Sequence, residues 1–145
     1  MTLYFRTDLS SFIEATYPAT FIIGSTAELA DYYERNKDTY QFQHGHYGGT
    51  SMADDVFGGG RGFDDDFFIG NSLLLVILEE GSGSIRHRVE SVLPQNGVLL
   101  VRIIRTIPEI GTADMAQWHI ALALEKTMAG LDVEIALLDE YIADC

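Results

Sequence analysis

The chain has 145 residues with a formal net charge of −13, and 47% of its residues are apolar. This size suits one domain with one hydrophobic core, and the apolar content excludes a disordered chain. Acidic surfaces repel phosphate backbones and anionic lipid, so we expect no nucleic-acid partner. The longest apolar run, residues 72–78, is far shorter than a membrane span, so we expect no membrane insertion by this chain.

The first third of the chain predicts a strand followed by a helix. Residues 17–23 combine β-branched and aromatic side chains after a proline, a pattern typical of a strand. Ser25 and Glu28 then fit a capping box, which predicts a helix to about Lys37. Residues 43–63 are rich in glycine, and we expect them to form a mobile loop insert on the surface.

Strand patterns dominate the rest of the chain. Residues 67–79 form a nearly continuous apolar run, which predicts a strand buried on both faces. Residues 85–93 and 98–107 predict two further strands, joined by a hairpin turn at Pro94–Gly97 because Asn-Gly tolerates positive φ angles. Residues 116–125 alternate apolar and polar positions, which predicts a strand with one buried face.

These elements predict a strand-rich α+β fold. We expect an antiparallel sheet, or a sandwich-like arrangement, with one amino-terminal helix. Residues 131–141 fit a helix or a final strand equally well. The predicted organisation is a single domain over residues 1–145, in which residues 127–145 form a carboxy-terminal extension.

No motif in the sequence specifies a catalytic centre, a metal site or a cofactor. His44 and His46 lie near several aspartates, a combination that suits a divalent metal, but a solvated polar loop is the preferred interpretation. The glycines of residues 58–62 lack the lysine and hydroxyl residue of a phosphate-binding loop. The single cysteine, Cys145, excludes an internal disulfide. We therefore expect no catalytic residue, no bound metal and no cofactor.

Two local groups of side chains have structural explanations. Trp118 has the same strand parity as its apolar neighbours, so we expect it in the core and His119 on the opposite face. Thr112 or Asp114 is expected to close the preceding loop by bonding to its own backbone. The arginines between residues 86 and 105 are expected to pair across strands with Glu79, Glu80 or Glu90.

The order of these segments resembles the PrcB carboxy-terminal domain family, named after a lipoprotein subunit of a bacterial surface protease complex. The resemblance covers residues 17–126: an early strand and helix at residues 21–33, an apolar strand at 73–80, a turn and strand at 83–89, and a last segment from Arg105 to Lys126. Ser84 stands where the family has its second glycine, and Ile85 stands where the family has an aromatic residue. A more distant resemblance is to chagasin-like cysteine-protease inhibitors.

The resemblance implies a protein-interaction module of the bacterial cell envelope that is associated with a protease or resembles a protease inhibitor. It implies a protein partner and no enzymatic activity, although no signal peptide is visible in this chain. The residues expected to contact the partner lie in two loops and the start of a strand: Ser82, Gly83, Ser84, Arg86, His87, Thr112 and Asp114. The alternatives are a homodimeric structural domain and a metal-dependent hydrolase that uses the loop of His44 and His46.

Overall fold

The computed structural model describes residues 2–11, 13–42, 56–57 and 63–142. Strands predominate, and the prediction of a strand-rich α+β fold is confirmed. The elements are β1 (Thr2–Arg6), β2 (Ala19–Ile23), α1 (Thr26–Asn36), α2 (Asp65–Gly70), β3 (Asn71–Glu80), β4 (Arg86–Gln95), β5 (Val98–Pro108), β6 (Ala116–Glu125), a 3-10 turn (Lys126–Met128) and β7 (Asp132–Ile142). None of the helices in these ranges is long and apolar enough to cross a membrane.

The chain divides into two compact units. Unit 1 comprises residues 1–79 and 116–129, and unit 2 comprises residues 80–115 and 130–145. Among the described residues, unit 1 contains a four-stranded sheet with the order β1-β6-β3-β2, and unit 2 contains a three-stranded sheet with the order β4-β5-β7. The expectation that residues 1–145 form one PrcB-like domain stays a prediction.

The two inner strands of unit 1 are buried. Residues 72–78 of β3 are all buried, so the predicted burial of this strand on both faces is confirmed. β6 has the predicted bounds, but its polar positions are also buried, including Gln117 and His119. The alternating pattern of residues 116–125 therefore does not mark a solvent-facing side of this strand. β1, to which the sequence analysis assigned no element, pairs antiparallel with β6.

The helices α1 and α2 each begin at a side-chain cap. The Ser25 hydroxyl accepts a hydrogen bond from the backbone N–H of Glu28 at 3.1 Å, and the Glu28 carboxylate accepts one from the Gly24 N–H at 2.9 Å, so the predicted helix start is confirmed. At α2, the Asp64 carboxylate accepts from the Phe67 N–H at 2.9 Å. The predicted strand therefore begins only at Asn71, and the assignment of residues 67–70 to it was wrong.

The glycine-rich segment contributes side chains to the core of unit 1. Val56 and Phe63 are buried, which contradicts the expected surface excursion at these two positions. The Phe57 ring lies 4.8 Å from that of Phe42 and 6.0 Å from that of Tyr32, measured between centroids. Residues 43–55 and 58–62 lie outside the described residues.

The sheet of unit 2 combines a hairpin with a parallel strand. β4 and β5 pair antiparallel around Asn96 and Gly97, whose φ angles of 54° and 83° confirm the predicted turn. The tail forms β7, which pairs parallel with β5 from Val98–Asp132 to Pro108–Ile142. The expected antiparallel arrangement thus holds for one of the two pairings in this sheet, and the tail is a strand.

Candidate functional site

All seven predicted binding residues lie in unit 2, and the structure brings their two loops together. The Ser82 hydroxyl lies 2.8 Å from the Ser84 hydroxyl and 3.3 Å from that of Thr112. The Thr112 N–H donates to Ser84 Oγ at 3.1 Å. Residues 81–85 and 109–115 are thus joined by hydroxyl groups. We call their combined exposed side the loop surface.

Gly83 and Asp114 form the inner part of this arrangement. The Gly83 N–H donates to Asp114 Oδ1 at 3.0 Å, and the Gly83 carbonyl accepts a hydrogen bond from the Arg86 guanidinium. Asp114 therefore accepts a hydrogen bond from the other loop, in addition to any bond within its own loop. Gly83 is buried, so it supports the loop surface from below and does not lie at its tip.

Gly111 allows the two loops to approach closely. A Cβ atom at this position would lie 3.0 Å from Ser82 Oγ and 3.2 Å from Ser84 Oγ. These distances are shorter than ordinary van der Waals contact between carbon and oxygen, so a side chain at Gly111 would displace both serine hydroxyl groups. The absence of a side chain at Gly111 is therefore part of how the loops are joined.

The loop surface exposes two large apolar side chains. Ile110 is 76% exposed and Met115 is 58% exposed. Thr112 of the same loop is exposed, as is Arg86 at the start of β4. The backbone N–H of Glu109 donates to the carbonyl of Ile142 at 3.0 Å, which joins this loop to the end of β7. The sequence analysis did not anticipate this connection, because residues 131–141 fitted a helix and a strand equally well.

His87, the remaining predicted binding residue, does not lie on the loop surface. Its side chain is fully buried, and its Nε2 lies 2.7 Å from Glu80 Oε2. Arg105 binds both oxygens of the same carboxylate, with Nε at 2.8 Å and Nη2 at 2.6 Å, and reaches Asp139 at 2.6 Å. Burial raises the pKa of Glu80, but the hydrogen bonds from Arg105 and His87 outweigh it and lower the pKa to about 2.

The other arginines confirm part of the expected cross-strand pairing. Arg105 pairs with Glu80 as predicted, and Arg102 lies 3.9 Å from Glu90. Arg88 instead pairs with Glu140 of β7 at 3.0 Å. Exposed ion pairs such as Arg88–Glu140 contribute little to stability, so the buried carboxylate of Glu80 is the main electrostatic feature of unit 2.

Unit 1 contains a second buried histidine, His119. Its Nδ1 lies 2.7 Å from the Thr7 hydroxyl and its Nε2 lies 2.6 Å from the Tyr32 hydroxyl. The rings of Phe5, Tyr40 and other aromatic residues surround it. Burial lowers the pKa of His119 to about 3, so the ring is neutral at physiological pH. Both ring nitrogens have partners, which is typical of a structural histidine in a core.

The described residues contain no cluster of histidine, cysteine, aspartate or glutamate suited to a metal ion. His44 and His46 lie outside those residues, so the hydrolase alternative is not addressed by the structure. Asp64 and Asp65 have structural partners: Asp64 caps α2, and Asp65 accepts a hydrogen bond from Thr26 at 2.7 Å.

The protein thus has a strand-rich α+β fold, and hydrogen bonds join the two loops of the loop surface in unit 2. No family model matches the chain, and neither the curated proteins nor the solved structures include a significant match.

Proposed function

We propose that this protein is a protein-interaction module and that the loop surface of unit 2 contacts its partner. The observation that carries the proposal is the exposure of Ile110, at 76%, on loops joined by hydroxyl and carboxylate hydrogen bonds. A large apolar side chain in water has a hydration cost that a partner removes by covering it. The surrounding hydrogen bonds hold the loop in place, which reduces the entropy lost on binding.

The chemistry around Ile110 is typical of an interface. Thr112 is exposed on the same loop as Ile110, and Arg86 is exposed at the start of β4, which follows the other loop. Protein interfaces commonly combine a buried apolar or aromatic centre with a polar rim, and arginine is enriched in them. Loops on a strand scaffold are also a frequent location of binding residues.

The resemblance to the PrcB carboxy-terminal domain family supports a protease as the partner class. On this proposal the chain acts in the bacterial cell envelope as an accessory or inhibitor-like domain of that protease. No catalytic role is assigned to the chain. Among the described side chains, His87 is buried with its Nε2 bonded to the Glu80 carboxylate, and His119 is buried with both ring nitrogens bonded to hydroxyl groups.

The loop surface is tested best at Ile110. A substitution at Gly83 would not separate binding from folding, because Gly83 is buried and bonded through both its N–H and its carbonyl. Ile110→Ser removes the exposed apolar side chain, and Ile69→Ser in unit 1 is the matched control because Ile69 is also 76% exposed. Both variants should keep the free energy of unfolding of the unaltered protein within about 0.5 kcal/mol, as expected for surface positions.

The experiment begins with immobilised protein and the envelope and secreted fractions of the source organism. Captured proteins are identified by mass spectrometry, and the purified partner is then titrated calorimetrically against both variants. We expect a protease, with binding about fivefold weaker or more for Ile110→Ser and unchanged for Ile69→Ser, since central apolar residues contribute about 1 kcal/mol or more. Equal affinities for all three proteins would exclude the loop surface as the binding site.

A further inference from the structure

β7 is a long strand at the edge of the unit 2 sheet. It spans Asp132–Ile142, which is 11 residues, and pairs with β5 on one side. The register with β5 runs without a shift from the first pair to the last, so no bulge interrupts the strand. The sequence of β7 contains neither proline nor lysine. Proline, lysine and bulges protect many edge strands and are absent from β7, and the charged side chains that it does carry are all acidic.

Large apolar side chains are exposed along this edge. Leu137 is 40% exposed, Tyr141 is 76% exposed and Ile142 is 46% exposed. Leu137 and Tyr141 lie on the same face of the strand, because residues four apart in a strand point to the same side. An edge strand with exposed apolar side chains is a template for an added strand, in which backbone hydrogen bonds give affinity and side chains give specificity.

The charge of β7 limits which strand can be added. Asp132 and Glu134 are exposed, and neither makes an ion pair with any residue that the structure describes. Asp139 and Glu140 already pair with Arg105 and Arg88, respectively. The amino-terminal part of β7 thus carries negative charge, and no described residue of the sheet neutralises it.

This charge disfavours a second copy of the chain. An antiparallel pair of β7 strands centred on Leu137 would place Glu134 of one copy opposite Glu140 of the other, on the same face. Like charges directly opposite each other in a sheet are destabilising. The net charge of −13 adds repulsion between whole molecules.

We propose that β7 binds an extended, basic segment of a partner protein by strand addition. Lysine or arginine side chains of that segment lie beside Asp132 and Glu134, and apolar side chains on its other face contact Leu137 and Tyr141. The carbonyl of Ile142 accepts a hydrogen bond from the N–H of Glu109, so the end of β7 is joined to the loop that carries Ile110. The inference rests on the proposed function, because it specifies the kind of partner that this unit binds.

The probe is a fluorescein-labelled peptide of ten residues in which lysine and valine alternate. A control peptide has the same composition with its lysines grouped at one end, which keeps the charge and removes the strand pattern. Binding to the full chain is measured by fluorescence anisotropy, and the site is located by hydrogen exchange of the backbone amides. We expect the alternating peptide to bind more tightly than the grouped peptide and to slow exchange in residues 132–142.

Charge-reversal variants separate this site from general attraction to an acidic protein. Glu134→Lys changes the edge, and Glu125→Lys makes the same charge change at an exposed glutamate at the end of β6. We expect the alternating peptide to bind Glu134→Lys about threefold to tenfold more weakly than Glu125→Lys, as expected for one exposed charge pair made repulsive. Equal affinities of the two variants, equal affinities of the two peptides, or protection outside residues 132–142 would overturn the inference.

Two further measurements distinguish strand addition from dimerisation and from the proposed function. Analytical ultracentrifugation that shows a dimer, with exchange in residues 132–142 slowed as concentration rises, would replace the basic partner by a second copy. The Ile110→Ser titration with the captured partner is independent of the peptide. If peptide binding fails while that titration shows the expected loss, strand addition is refuted and the proposed function stands.

Discussion

Replacing Glu80 by glutamine tests the electrostatic centre of unit 2. The Glu80 carboxylate is 6% exposed and accepts hydrogen bonds from His87 and, through two nitrogens, from Arg105. Glu80→Gln keeps the shape of the side chain and removes its negative charge. It also replaces one acceptor oxygen by an NH₂ donor, which faces a nitrogen of Arg105 or of His87. We expect a large loss of stability because the partners remain in place.

The size of this loss follows from the pKa of Glu80. Its fall from 4.5 to about 2 corresponds to a stabilisation of about 3 kcal/mol in the ionised form. Removing one member of a buried ion pair costs about 3–5 kcal/mol. Arg105 is 22% exposed and keeps Asp139, so the lower end of that range applies. We expect Glu80→Gln to lower the free energy of unfolding by about 3 kcal/mol and the melting temperature by roughly 10 °C.

The assay is urea unfolding followed by circular dichroism between pH 2 and pH 7. The matched control is Glu79→Gln, because Glu79 is exposed and makes a hydrogen bond with Gln117 at 2.9 Å. We expect a loss of about 1 kcal/mol or less for this control. The folded pKa of Glu80 lies below the unfolded value, so its contribution is complete above about pH 4.5 and is lost as the pH falls toward 2.

The pH profile also provides the result that would refute this reasoning. The difference in unfolding free energy between the unaltered protein and Glu80→Gln should be constant from pH 7 down to about pH 5 and then shrink. A difference no larger than that of Glu79→Gln at pH 7 would show that the carboxylate of Glu80 is not stabilised as the geometry indicates. A difference that does not change in acid would refute the assigned pKa.

Two further predictions concern Gly111 and His119. Gly111→Ala should lower the free energy of unfolding by about 1 kcal/mol and speed amide exchange at residues 81–85, because its Cβ would lie 3.0 Å from Ser82 Oγ. The control is Gly81→Ala, because a Cβ at Gly81 would have nothing within 4 Å. Equal exchange rates in the two variants would contradict the close approach of the loops. His119→Leu leaves the Thr7 and Tyr32 hydroxyls without their ring partner, which should cost about 2–4 kcal/mol in urea unfolding, and adding Thr7→Val and Tyr32→Phe should restore part of the loss. Because the pKa of His119 is lowered to about 3, its contribution to stability should fall as the pH falls from about 6.5 toward 3, and an unchanged acid profile in His119→Leu would contradict this assignment.

Features encoded by neighbouring residues could be predicted from the sequence. The Ser25–Glu28 capping box and the Asn96–Gly97 turn each depend on a few adjacent residues, and both are present as expected. The bounds of β6 also agree with its apolar pattern. At Asp64, however, the sequence prediction missed a helix cap. The Asp64 carboxylate caps α2, so β3 begins later in the chain than its apolar pattern predicts.

Features that depend on distant residues could not be predicted. β1 is five residues long and is stabilised by pairing with β6, more than a hundred residues later in the chain. The parallel pairing of β5 with β7 requires a connection whose path no local pattern encodes. The sequence predicts loops at Ser82, at Thr112 and at their neighbours, and these form part of the loop surface. The hydrogen bonds between the two loops could not be predicted, because they depend on the fold.

The two buried histidines show why residue type alone is a poor guide to the candidate site. His87 was selected as a binding residue because it follows the Ser82–Ser84 turn, yet it is buried against Glu80. His119 was expected to lie on the face opposite Trp118, and the structure buries it between two hydroxyl groups. A histidine whose ring nitrogens are bonded inside the protein cannot also contact a partner at the surface. Function is therefore inferred from exposed side chains, Ile110 on the loop surface and Tyr141 on β7, each 76% exposed.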